Sequence, residues 1–78
     1  MREKTMKLVV TFHTTTAAMA METACMAAGL PGRLIPVPRA ITAGCGMAWC
    51  APVEAEEALK AFTAEKNIPT AGFFQLML

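Results

Sequence analysis

The chain has 78 residues, which leaves room for one domain over residues 1–78; a domain of that size buries only about 60% of the surface its unfolded chain would expose. Hydrophobic residues make up 55% and charged residues 17%, against roughly 25% charged in ordinary soluble domains, so polar surface is scarce and a homodimer or partner-covered face is expected. The net charge of +1 comes from scattered Lys and Arg without a basic run, which excludes the electrostatic footprint of a nucleic-acid binder.

Met6-Lys7-Leu8-Val9-Val10-Thr11-Phe12 reads as a strand, with Leu8, Val10 and Phe12 on one face and Lys7, Val9 and Thr11 on the other. The residues ahead of it, Met1-Arg2-Glu3-Lys4, lead into too short an apolar run for a signal peptide. Thr14, Thr15 and Thr16 offer capping hydroxyls, and the run after them predicts a helix whose buried stripe is Ala18, Met21, Cys25 and Ala28. Glu22 interrupts that stretch, which is too short to span a bilayer, so no membrane association is expected. Met19, Met21 and Met26 do not share a face and read as adaptable filler, not a metal box. Gly29 closes the helix in a left-handed conformation and Pro31-Gly32 prevents it from resuming.

Arg33 to Val37 favours an extended strand, while Pro36 and Pro38 remove ladder donors and confine it to a sheet edge. A long loop, Pro38 to Gly46, joins it to the next strand, Met47 to Cys50. Pro52 suits a helix start, and Glu54, Glu56 and Glu57 crowd the end where the helix dipole favours negative charge. This second helix is predicted to run to about Lys66, with a core stripe of Ala55, Ala58, Leu59 and Phe62 and an exposed Glu56–Lys60 pair. Ala71 to Leu78 closes the chain as a strand with apolar groups on both faces.

The order strand, helix, strand, strand, helix, strand predicts an α+β, ferredoxin-like βαββαβ fold. It has a four-stranded antiparallel sheet with two helices on one face, and the Arg33–Val37 and Met47–Cys50 segments as antiparallel neighbours. The other face would carry Val9, Ile35 or Leu34, Ala48 or Trp49, and a row of the last strand. It is too apolar to leave wet, and a second copy in a two-fold dimer is expected to cover it.

Cys45 is the leading candidate for chemistry. Gly44 and Gly46 flank it without side-chain bulk, and a guanidinium from Arg33 or Arg39 would favour its thiolate. The residues alone equally allow a tight turn around a small buried hydrophobe. Arg33 and Arg39 could bind an oxyanion, or serve as solvated charges that blunt a sheet edge. Cys50 could resolve a disulfide with Cys45 or simply pack in its strand. Cys25 lies on a helix core stripe and is expected to be inert, and Trp49 is expected to pack. An odd number of cysteines fits free thiols in a reducing, cytoplasmic compartment better than a disulfide framework. His13, Cys25, Cys45 and Cys50 lack a Cys-x2-Cys knuckle, so no metal is expected. No phosphate-cradling glycine pattern is present and no cofactor is expected. The chain has no aspartate, and its glutamates cluster on the second helix, so general acid/base catalysis has few candidates.

The segment Arg33-Leu34-Ile35-Pro36-Val37-Pro38-Arg39, leading into Gly44-Cys45-Gly46, resembles the selenium/sulfur carrier-like family, small bacterial and archaeal domains in which such a stretch precedes a Cys-Gly pair. The match is good over Arg33 to Gly46 and extends over most of the chain. The resemblance implies that Cys45 accepts selenium or sulfur from a donor protein and passes it to an acceptor by persulfide or selenopersulfide exchange, as a carrier and not a catalyst. The alternative is a noncatalytic binding or regulatory module whose Arg33-to-Cys45 loop grips a ligand. A single-thiolate metal shuttle rests on fold analogy alone.

Overall fold

The computed structural model describes residues 5–41 and 45–78; Gly44 lies outside them. Strands β1 (Met6–Thr11), β2 (Arg33–Pro36), β3 (Met47–Pro52) and β4 (Gly72–Met77) form one sheet in the order β2-β3-β1-β4, and every neighbouring pair is antiparallel. Helix α1 (Thr15–Ala28) joins β1 to β2, and α2 (Glu56–Glu65) joins β3 to β4. This is the ferredoxin-like βαββαβ arrangement, with β2 and β3 paired as expected. None of the described helices is long and apolar enough to cross a membrane.

Alternation in the two central strands builds the main core. Leu8, Val10 and Phe12 from the first strand segment and Trp49 and Ala51 from β3 face both helices, where they meet Ala17, Ala18, Met21 and Cys25 of α1 and Leu59 of α2. Helix α1 starts where Thr14, in extended backbone, accepts the Ala17 N–H on its side-chain oxygen at 3.1 Å. It ends at Gly29, φ 73°, with the Leu30 N–H donating back to the Cys25 carbonyl at 2.9 Å. The buried row of α1 follows four-residue steps, 17, 21 and 25, so Ala17 joins it and Ala28 is exposed.

After Pro52 the chain first makes a 3₁₀ turn, Val53–Ala55, and α2 begins only at Glu56. Leu59 and Thr63 are its buried residues, while Ala58 is exposed. Thr63 is accommodated because its hydroxyl donates to the Lys60 carbonyl at 3.1 Å. Glu56 is a cross-link more than an exposed charge. It pairs with Lys60 at 2.9 Å and accepts from the Gln75 amide of β4 at 2.6 Å. Those two hydrogen bonds, Lys60 first, hold its carboxyl below the ordinary glutamate range. The Lys60 ammonium also stands 5.5 Å from the centre of the Phe73 ring.

The face away from the helices is partly covered by the chain itself. Val9, Ala48 and Ile41 are buried there, with Ile35, Val37, Leu76 and Leu78 packed around them. A turn closed by the Ile41 N–H on the Pro38 carbonyl, 2.9 Å, brings this segment back over the sheet. Val9, expected to wait for a second copy, is 0% exposed within one chain. On this face Phe74, 39% exposed, remains open to solvent.

Trp49 and Gly32 form the tightest join between β3 and the approach to β2. The indole N–H donates to the Pro31 carbonyl at 3.3 Å. Gly32 has φ +128°, and a Cβ there would collide with the indole and lie 2.7 Å from the Cys50 carbonyl oxygen. Gly32→Ala is therefore expected to lose about 2–4 kcal/mol, from backbone strain and overpacking together. Urea denaturation measures it; a variant as stable as the parent would show that the join relaxes without cost.

Candidate functional site

Cys45 stands in the turn just ahead of β3, and the Cys45-Gly46 pair is tied to the sheet on both sides. The Cys45 N–H donates to the Phe12 carbonyl at 3.1 Å, and the Gly46 carbonyl accepts the Val37 N–H at 2.9 Å. Gly46 takes φ +87°, where side chains are strained, yet no atom lies within 4 Å of where its Cβ would be. It is needed for its backbone and not for want of room. The Cys45 thiol is half-buried, packs against the helix-side core and donates a weak sulfur hydrogen bond to the Met47 carbonyl at 3.8 Å. Phe12, its backbone partner, lies two residues before the cap of α1. The thiol is thus at the end of the sheet where that helix starts.

Cys50 occupies the other face. In β3 Met47, Trp49 and Ala51 turn to the helices, so Ala48, Cys50 and Pro52 turn away. Arg33 is the register partner of Cys50 across β2 and β3, and directly opposed residues share a face. A concavity of about 950 Å³ opens there, lined by Lys7, Arg33, Arg39 and Cys50 against apolar walls that include Ile35 and Val37. The two arginines are thereby brought together with Cys50, and Cys45 is not among the lining residues. Among the described residues the ion pair found is Glu56–Lys60, so Lys7, Arg33 and Arg39 have no carboxylate partner there.

All three cysteines are free. Cys25 is buried beneath α1, and burial pushes its thiol up from the ordinary range. Cys45 and Cys50 are not poised to bridge within one chain. Met47 to Cys50 alone spans about 10 Å of strand at ~3.3 Å per residue, while a disulfide needs Cα atoms within about 7 Å. A resolving role for Cys50 toward Cys45 would need a second copy or a rearranged backbone. His13 is exposed, and among the described residues no group of three or more His, Cys or Glu gathers where a metal could be held.

Grouping by proximity in the chain missed the partnership of Lys7, Arg33 and Cys50. The signal that finds it is the two-residue alternation of β3 combined with its register: Val9 opposes Cys50, and Lys7 lies two residues from Val9 on the same face.

A model of the family described as "Putative Se/S carrier protein-like" matches residues 7–75, nearly the whole chain. No curated protein and no solved structure gives a significant match.

In the native protein Cys25 is expected to be alkylated by iodoacetamide about tenfold or more slowly than the two half-exposed thiols, and to catch up in urea. Quenched labelling with peptide mapping checks this; a native Cys25 as fast as the others would show that α1 lifts readily from the sheet.

Proposed function

The chain belongs to the Se/S carrier protein-like family, and on that premise we propose that it carries selenium or sulfur as a persulfide or selenopersulfide on the thiol of Cys45. The observation that most supports this reading is the double anchoring of Cys45-Gly46 by Phe12 and Val37. A carrier thiol must present itself in the same way to a donor protein and then to an acceptor. A thiol whose own backbone and that of the next residue are bonded to the segments just beyond β1 and β2, beside a glycine with open space around it, meets that need.

Loading is an exchange without net oxidation. The Cys45 thiolate attacks the outer chalcogen of a donor persulfide, the bond between that atom and the donor sulfur breaks, and the donor leaves as its thiolate. Delivery repeats the step with Cys45 as the leaving thiolate. The protein is consumed and regenerated as a shuttle, and a reducing compartment such as the cytoplasm keeps its thiol available. Gly46 supplies the turn. Arg33 and Arg39, which line the concavity that Cys45 does not, take the anion-binding part on the opposite face. A pure binding-module reading draws its support from that concavity, which a carrier can also use.

Exposing the protein to a persulfidated donor, then trapping with an alkylating reagent and mapping peptides, is expected to find the added chalcogen first on Cys45 and to lose it in Cys45→Ser with the fold intact by circular dichroism. Cys45 left bare while another thiol loads would overturn the assignment.

The proposal extends to assembly as a homodimer. Met6 and Met77, opposed across β1 and β4 on the helix side, are 44% and 54% exposed, and Phe74 is 39% exposed on the open face; a second copy against the β4 edge that covers both sides of it would add about 25 cal/mol per Å² of apolar area removed from water. Light scattering at micromolar concentration is expected to give twice the chain mass, and Phe74→Glu is expected to return the monomer. A monomeric parent protein refutes it.

A further inference from the structure

We propose that the concavity on the open face of the sheet is a second thiol site, in which Lys7, Arg33 and Arg39 hold a low-molecular-weight persulfide bearing carboxylates and Cys50 takes its outer sulfur. The inference extends the carrier reading to a different thiol and a different class of donor, and the two can fail separately because Cys45 is not part of this site.

The register supplies the geometry. Arg33 and Cys50 are opposed across β2 and β3, which sets their Cβ atoms about 5 Å apart on one face of the sheet. Lys7 opposes Pro52, two residues on from Cys50 along the same face. Arg39 comes in from the turn that ends at Ile41. Cations from β1, from β2 and from the segment beyond β2 therefore line the same concavity as the thiol. Among the described residues no glutamate lines the concavity, and the Glu56–Lys60 pair is spent on the helix side of the sheet.

The chemistry of the lining selects the ligand. Guanidinium groups match carboxylates in paired hydrogen bonds, and the apolar walls from Ile35 and Val37 strengthen the field in which those charges act. At about 950 Å³ the concavity is far larger than an inorganic anion and falls in the range of sites for organic molecules. A compact peptide-like thiol with two carboxylates satisfies both size and charge, and its persulfide places a transferable atom near Cys50.

The transfer balances on its own. The Cys50 thiol first gives its proton to solvent. The thiolate then attacks the outer sulfur, the sulfur–sulfur bond of the donor breaks, and its electron pair leaves with the inner sulfur as the donor thiolate, which solvent protonates. Cys50 ends as the persulfide, with no oxidant or reductant required.

The test uses the full chain and reads each cysteine separately by alkylation and peptide mapping. Glutathione persulfide, which carries two carboxylates, is compared with the persulfide of 2-mercaptoethanol, which carries none. Cys50 is expected to load about tenfold or more faster from the carboxylate-bearing donor, an advantage of the size that cation-lined clefts give to anionic ligands. That advantage should shrink in about 0.5 M salt and in Arg33→Gln and Arg39→Gln, while the rate from the donor without carboxylates changes much less. Equal rates for the two donors, or an advantage indifferent to both salt and arginine, would overturn the site. A glutathione mixed disulfide at Cys50 in place of the persulfide would overturn the transfer step. Loss of loading at Cys45 alone counts against the carrier assignment of that residue and leaves this site standing.

Discussion

Trp49 fixes the register of β3, and most of the molecule's chemistry follows from that register. Its indole is 1% exposed, packed among both helices, and its N–H reaches the Pro31 carbonyl only because Gly32 carries no side chain. A slip of one residue would bring Trp49 out onto the open face and drive Cys50 into the helix-side core, since strand side chains alternate with a period of two. Burying a large aromatic ring contributes several times more than a small thiol does. Trp49 therefore decides that Cys50 faces outward beside Arg33. Ala48, also outward, is small enough to let Ile41 settle over the sheet.

The same strand separates two thiols of different character. Cys45 lies beyond the β3 end, anchored through backbone groups to the segments just beyond β1 and β2, while Cys50 lies within β3 and meets cations on side chains. Position for Cys45 is set by backbone hydrogen bonds that truncating a side chain to alanine leaves in place. The surroundings of Cys50 depend on three charged residues that can each be deleted without touching the core.

Much of the architecture could be read from local pattern. The alternation of Leu8, Val10 and Phe12 against Val9 named the two faces, and Thr14 and Gly29 marked the ends of α1 through a side-chain cap and left-handed backbone. Short-range rules failed where packing chose between near-equal options. Pro52 signalled a helix, but the chain needed a 3₁₀ turn before α2 could lie on the sheet. At the candidate site the arginines are adjacent in sequence to the segment leading into Cys45, yet antiparallel pairing carries Arg33 to Cys50. Register is a relation between distant segments, and no periodicity within one of them encodes it. The return of Ile41 over Val9 was equally hidden, because a single turn hydrogen bond from Ile41 to Pro38 produces it.

The prolines of β2 have a consequence for how copies of this chain can join. Val37 donates toward β3 through Gly46, and alternation then points positions 36 and 38 outward, where Pro36 and Pro38 have no N–H to offer. That border of the sheet is a poor template for another strand. The opposite border, β4, has the sequence Gly-Phe-Phe-Gln-Leu-Met, without charge or proline. A filament grows only when two complementary borders remain adhesive at every step. With one border disabled, strand addition can join β4 only to another β4, and the two-fold union consumes both. A sheet with one such border leaves room for a finite particle, where two open borders would leave room for an endless one.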